Sequence, residues 1–314
     1  MKKISIVSSA FNEEGNIKPL CEAVKKEMAK LQGRYTYEQI ILDNGSTDNT
    51  QTVLRQLAAQ DTHIKVIINE RNFGHIRSPY YGILQAQGDA VIYMASDLQD
   101  PPELISAFVE KWEDGFKIVL GQKRQSVENK LFFAVRKFYY WLLNWMNDSG
   151  AALVDNCTGF GLYDKTVVEE LRQLKDPYPY LRGLVCELGY DKALVPFKQP
   201  ARLTGFTKNN FYTLYDNAMI GFTNHSKIPL RLAALGGFVL GSVSFLLGCV
   251  YLVLKLCFWD RFPLGTAPIL LAVLFFSSVQ LVFLGVLGEY VGAILTQVLH
   301  RPLVVEKERI NFDK

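Results

Sequence analysis

Two long stretches near the C-terminal end carry no charge, 23 residues between Arg231 and Lys255 and 27 between Arg261 and Glu289. At 1.5 Å per residue, a helix through either run matches the roughly 30 Å hydrocarbon core of a bilayer. A soluble fold would have to bury both helices on every side, and globular cores seldom need two such runs in succession. The chain is therefore expected to cross a membrane twice, at 232–254 and 266–290, as a helical hairpin within a segment 231–290. Lys227 and Arg231 precede the first run, and His300, Arg301, Lys307 and Arg309 follow the second, while the connection holds Lys255, Asp260 and Arg261. The positive-inside bias then places both termini on the cytoplasmic side of an inner or plasma membrane. Small residues in the first run (Gly236, Gly237, Gly241 and Gly248) allow close helix packing, so a homo-oligomer stays open.

Residues 1–125 have a different rhythm. Strand-like runs at 4–7, 39–42, 64–68, 89–94 and 117–120 alternate with helical spacing at 17–31, 49–59 and 102–114. Ser78 followed by Pro79 reads as an N-cap and first helical position. The alternation predicts an α/β domain with a mostly parallel sheet covered on both faces. Ligands of such sheets bind beyond the C-terminal strand ends, so loops 10–14, 43–48, 71–77 and 95–100 should line one crevice. The opening Met1-Lys2-Lys3 has the look of a signal-peptide start, but its apolar run stops at Asn12-Glu13-Glu14 and reads as a first strand.

Segments 131–145 and 211–222 are helical in spacing and rich in aromatics; they either anchor at the membrane interface or pack on the sheet. Five cysteines at 21, 157, 186, 249 and 257 form no CxxC pair, which argues against a zinc site and against a disulfide framework. A net charge of +3 with no basic, aromatic-interleaved stripe argues against nucleic acid.

Motifs fall after successive strands: Ala10-Phe11-Asn12-Glu13-Glu14, then Asp43-Asn44-Gly45-Ser46-Thr47-Asp48, then Arg71-Asn72-Phe73-Gly74, then Asp97-Leu98-Gln99-Asp100-Pro101-Pro102-Glu103. Asp43, at a strand end, is placed to accept hydrogen bonds from a base or ribose. Further on come Asp155-Asn156-Cys157-Thr158-Gly159-Phe160-Gly161, Arg202 with Lys208, Pro229-Leu230-Arg231-Leu232 and Gly288-Glu289-Tyr290. In this order the motifs resemble the inverting family 2 glycosyltransferases of GT-A fold, and more narrowly the polyprenyl- and dolichyl-phosphate sugar synthases with a two-helix anchor.

That resemblance implies a cytoplasmic GT-A domain over 1–205, a juxtamembrane amphipathic helix over 206–230, the hairpin, and a cytoplasmic tail over 291–314. It implies that Phe11, Glu13, Asp43, Asn72, Ser96 and Lys123 hold a nucleotide-diphosphate sugar, with uridine diphosphate ahead of guanosine diphosphate. Asp97 and Gln99 would hold Mg²⁺ or Mn²⁺, Asp97 and Asp155 would serve catalysis, and Arg202 and Lys208 would bind phosphate of donor or acceptor. Four positions depart from the family pattern: Ala10 for proline, Asn44 for a second aspartate, Ala95 for the first acid of the metal motif, and Gly161 for arginine. The implied acceptor is a polyprenyl phosphate such as undecaprenyl phosphate. Its second pKa of about 6 leaves it largely dianionic at neutral pH, so it needs no strong general base. Asp155 also reads as a turn-capping carboxylate, and Arg202 and Lys208 as ordinary membrane-surface cations. Rival functions are a processive polysaccharide synthase, opposed by the lack of a Gln-x-x-Arg-Trp motif; a non-catalytic nucleotide-sugar-binding membrane protein; and a transferase using another lipid or glycan acceptor. Glu289 reads as a structural partner near a helix end.

Overall fold

The computed structural model describes residues 1–124, 154, 156–200, 227–257 and 266–312. The α/β expectation holds. Strand β1 (Lys2–Ala10) buries Ile4, Ile6 and Val7 completely, as a central strand covered on both faces must. Helix α1 (Glu14–Lys30) lays Ile17, Leu20, Cys21, Val24 and Met28, at helical spacing, onto the sheet. There follow β2 (Tyr35–Asp43), α2 (Thr50–Gln60), β3 (Ile64–Asn69), α3 (Gly74–Gln85) and β4 (Ala90–Tyr93). A 3-10 turn (Pro102–Leu104) then leads into α4 (Ile105–Glu113) and β5 (Ile118–Lys123). The next described elements are β6 (Cys157–Asp164), α5 (Lys165–Leu174), α6 (Leu181–Glu187) and β7 (Lys192–Phe197). Two long helices, α7 (Ile228–Cys257) and α8 (Thr266–Val298), precede a last strand, β8 (Glu306–Ile310).

All eight described strands form one sheet in the order β7-β5-β6-β4-β1-β2-β3-β8. Strand β1 pairs in parallel with β2 on one side and β4 on the other, so the chain reverses its winding direction at β1. Such a switch point opens a crevice at the C-terminal strand ends.

Two sequence expectations need correction. Helix α3 begins at Gly74, so Pro79 lies inside it and Ser78 is no N-cap. Ser78 is buried, and its Oγ accepts from Asn69 Nδ2 at 3.2 Å, which turns the hydroxyl toward the core. Residues 291–314 are not merely a tail. Helix α8 runs on to Val298, and β8 returns to the sheet antiparallel to β3. Asn311 Nδ2 donates to the Ala58 and Ile64 carbonyls, at 2.7 and 2.8 Å, and Glu308 pairs with Arg55 at 2.7 Å. The strand carries the charged run Glu306-Lys307-Glu308-Arg309, and an edge strand tolerates charge and is protected by it.

The long helices expose their apolar side chains: Phe238, Phe245 and Leu246 on α7, and Leu281 and Val282 on α8. No part of the apolar windows within Ile228–Tyr251 or Ala272–Val298 is buried inside the protein. That rules out a soluble hairpin core and marks the chain as membrane-associated. A β-carbon at Gly236 would lie 3.4 Å from the Phe283 ring, so α7 and α8 touch there.

At the opposite end of the sheet from the crevice, Glu38 is buried in a network of its own. Its Oε2 pairs with Lys3 Nζ at 2.5 Å and Lys65 Nζ at 2.9 Å, and its Oε1 accepts from Ser5 Oγ at 2.6 Å and Gln87 N at 3.2 Å. Burial alone would raise its pKa, but these donors outweigh burial and hold it at about 2, against an ordinary 4.5. A carboxylate depressed in the folded state stabilises fully above its unfolded pKa and loses that contribution as pH falls toward the folded value. The linkage is worth about 3 kcal/mol. Glu38→Gln should therefore lower the melting temperature at pH 7, and its gap to wild type should close as pH falls from 5 toward 3. Equal melting temperatures at pH 7 would refute the network's role.

Candidate active site

The crevice is built from four loops that hold one another. After β1, Asn12 takes a left-handed φ of 57°, which turns its backbone N–H onto Ser46 Oγ at 2.9 Å and its Oδ1 onto Thr47 N at 2.8 Å. Glu13 N donates to Thr50 Oγ1 at 2.9 Å. The loops after β1 and β2 are thus stitched together. Gly45, at φ 74°, has room for no side chain, because a β-carbon there would stand 2.6 Å from the Arg71 carbonyl carbon. Loop 43–48 can lie against loop 70–73 only with glycine at that point.

Asp43 ends β2 and is fully buried. Its Oδ2 accepts from Ser46 N at 3.1 Å and Gln51 Nε2 at 2.9 Å, while its Oδ1 is buried with no hydrogen-bond partner. Buried acceptors are rarely left unpaired, and this one lies at the C-terminal end of β2, one strand from the reversal between β1 and β4. Asn44 holds the neighbouring loop. Its Nδ2 donates to Asn72 Oδ1 at 2.9 Å and to the Gly74 carbonyl at 3.1 Å, and its Oδ1 accepts from Phe73 N at 2.9 Å. An aspartate could not make the two donations, which gives a physical reason for asparagine in place of the family's usual acid.

The acidic corner lies after β4. Ser96 Oγ donates to the Ser9 carbonyl at 2.8 Å, fixing the turn to β1. Asp97 is 9% exposed and its Oδ1 accepts from Gln99 N at 3.2 Å. Asp100, 5% exposed, accepts from Ala95 N at 2.9 Å. Burial raises the Asp100 pKa to about 6; the Ala95 amide and the Lys123 charge pull it down, Asp97 pushes it up, and Arg182 pulls it down. Asp97, Asp100, Lys123 and Arg182 therefore lie within electrostatic reach of one centre. The second acid beside Asp97 comes from three residues downstream, where Ala95 replaces the usual one two residues upstream.

Among the residues expected to form the site, Phe11, Glu13, Asp43, Asn72, Ser96, Asp97, Gln99 and Lys123 are described. All but Lys123 belong to the four loops, and Lys123, at the end of β5, faces the same acids. Glu13 Oε2 accepts from Asn16 Nδ2 at 2.6 Å. Asp155, Arg202 and Lys208 lie outside the described residues, as do the aromatic segments 131–145 and 211–222 and the boundary at 205–206. Asp100 and Arg182 were missed by the sequence reading. Asp100 lies within the Asp97–Glu103 motif, whereas Arg182 reaches the site only because β6 turns back beside β4 and brings α6 with it. Gly161 sits between Tyr93 and Leu120 in the sheet, and a β-carbon there would be 2.3 Å from the Val119 carbonyl oxygen. Among the described residues no three His, Cys, Asp or Glu side chains gather as a metal site.

A family model described as glycosyl transferase family 2 matches residues 5–172. An uncharacterized glycosyltransferase of Bacillus subtilis, YkcC, is 34% identical over 98% of this chain and 94% of its own length. The bactoprenol glucosyl transferase of Shigella phage SfV is 33% identical over 97% of this chain and 98% of its own. Among solved structures, glucosyl-3-phosphoglycerate synthase from Mycobacterium tuberculosis, crystallised with Mg²⁺ and uridine diphosphate, has a TM-score of 0.50 at 20% identity. It covers 71% of this chain and 77% of that one, and speaks for the fold alone. A mixed sheet whose parallel centre reverses at β1, loops closing on Asp43 and Asp97, and relatives aligned from end to end agree on one assignment: this chain belongs to glycosyl transferase family 2, as a GT-A-fold glycosyltransferase with two apolar C-terminal helices.

Proposed function

We propose that this enzyme transfers one sugar from a nucleotide-diphosphate sugar, with uridine diphosphate as the first nucleotide to test, to a polyprenyl phosphate at the cytoplasmic face of a membrane. The observation that carries the donor half is the buried, unpartnered Asp43 Oδ1 at the C-terminal end of β2, beside the strand where the winding reverses and six residues from the Asn49-Thr50 start of α2. The acceptor half rests on near-full-length similarity to a bactoprenol glucosyl transferase, apolar helices included.

In this reading Asp43 Oδ1 accepts a hydrogen bond from the base or ribose, and Asn44 keeps the loop at 69–74 closed around the sugar side. A divalent cation fits the acidic corner: the donors are all oxygen, and magnesium commonly takes one or two carboxylates together with substrate phosphates. Asp97, with Gln99, would hold Mg²⁺ or Mn²⁺, which when bound offsets the charge building on the leaving diphosphate. Lys123 and Arg182 add fixed positive charge beside the same acids. A phosphate oxygen of the lipid, already ionised, attacks the anomeric carbon from the side opposite the diphosphate, with inversion. Asp155 would orient that acceptor, and Arg202 and Lys208 would quiet the two anions as they meet. Both termini lie in the cytoplasm.

The test gives the purified full-length protein UDP-glucose, undecaprenyl phosphate and Mg²⁺, and follows the lipid product by mass. Asp97→Asn should slow product formation about 100-fold, the usual scale for losing transition-state charge stabilisation; turnover within severalfold of wild type would discard its role. Asp43→Asn should raise the donor KM about tenfold, the worth of a charge-assisted hydrogen bond, while leaving the acceptor KM in place. Wild-type protein that binds nucleotide sugar yet forms no product with the lipid would favour a binding protein instead.

A further inference from the structure

Three guanidinium groups gather where α8 leaves the apolar region. The candidate span ends at Val298, and Arg301 follows three residues later, at the depth expected for lipid headgroups. Arg77, in the first turns of α3, donates through Nη2 to the Pro302 carbonyl. Gln297 Nε2 donates to Asp176 Oδ1 at 2.9 Å, so the end of α8 is seated on the catalytic domain at this place. Arg71 and Arg77 approach the same Phe73 ring, their Cζ atoms 4.2 and 5.5 Å from its centroid.

Among the described residues, no carboxylate pairs with Arg71, Arg77 or Arg301; the hydrogen bonds that Arg71 and Arg77 make go to the Asn72 and Pro302 carbonyls. Arg77 Nε is buried without a partner. Burial, then Arg71, then Arg301 depress the Arg77 pKa, with Tyr178 opposing them. Like charges held together around an unsatisfied donor are stabilised by an external anion, and guanidinium is the side chain best shaped for phosphate. The cluster also adjoins the donor crevice, because Asn72, next to Arg71, is hydrogen-bonded to Asn44.

We propose that Arg71, Arg77 and Arg301 form a docking site for the phosphomonoester headgroup of a membrane-borne isoprenoid lipid, held at the bilayer surface beside the crevice. The site deepens the proposed function and rests on it for the lipid being the acceptor. A dianionic monoester matches several guanidinium groups better than a singly charged phosphodiester does, and a lipid reaches them by lateral diffusion along α8.

The experiment uses the full chain in phosphatidylcholine nanodiscs and measures the Kd for undecaprenyl phosphate and, separately, for UDP-glucose. Arg71 and Arg301 are exposed, so the double variant Arg71→Gln/Arg301→Gln keeps the fold intact where Arg77→Gln risks disturbing the Pro302 contact. Each lost arginine should weaken lipid-phosphate binding about tenfold with UDP-glucose binding unchanged, and Arg71→Lys should recover part of the loss. Unchanged lipid binding in the double variant, or no lipid binding by wild type, overturns the site. So does a parallel loss of UDP-glucose affinity, which would assign the arginines to the donor, and so does equal competition by phosphatidylglycerol, which would make them a general anionic-surface contact. Arginine-dependent binding without any glucosylated product would leave the site standing and sink the proposed transfer; unaltered binding with intact transfer would do the reverse.

Discussion

Asp43 Oδ1 is the constraint on which the rest of the crevice turns. A carboxylate oxygen removed from water without a donor costs a few kcal/mol, and a fold keeps one where something else completes it. Here the cost falls at the C-terminal end of β2, between β1 and β3. The other oxygen is pinned by Ser46 N and Gln51 Nε2, so the carboxylate cannot rotate freely to relieve its unpaired side. The loops around it are rigid for reasons independent of any ligand: the left-handed Asn12, the glycine forced at Gly45, and the asparagine amide that clasps loop 69–74. Preformed geometry of this kind lets binding energy go into orienting a donor instead of ordering the loops that hold it.

The departures from the family pattern find physical explanations one by one. Asn44 replaces an acid because its position needs a donor. Ala95 gives up a side-chain carboxylate, but its backbone N–H holds Asp100, which brings a second acid to Asp97 from the other direction. Gly161 is demanded by the close pairing of β5 with β6. For Ala10 the structure shows only that its carbonyl accepts from Asn44 N at 2.8 Å, and nothing explains the loss of the usual proline.

Much of this was legible in the sequence because local signals and tertiary demands agreed. The buried parallel strands are continuous runs of Ile, Val and Leu, each followed by a polar loop, and the charge-free runs leave few alternatives to membrane helices. Reading failed where a local signal was outweighed. Ser78-Pro79 has the chemistry of a helix start, but the helix forms five residues earlier and spends Ser78 on a core contact with Asn69. The Glu306–Ile310 strand is too charged to announce itself, since its pairing with β3 is made by backbone and by partners such as Arg55 more than two hundred residues away in sequence. Arg182 carries no motif at all; only the antiparallel return of β6 brings it to the acids.

The most direct measurement is a cryo-electron microscopy structure of the full chain in a lipid nanodisc with UDP-glucose and Mg²⁺. The account predicts a nucleotide N–H or ribose hydroxyl within about 3 Å of Asp43 Oδ1, with the diphosphate facing Asp97. A nucleotide bound elsewhere, with Asp43 Oδ1 still unpartnered, would contradict it.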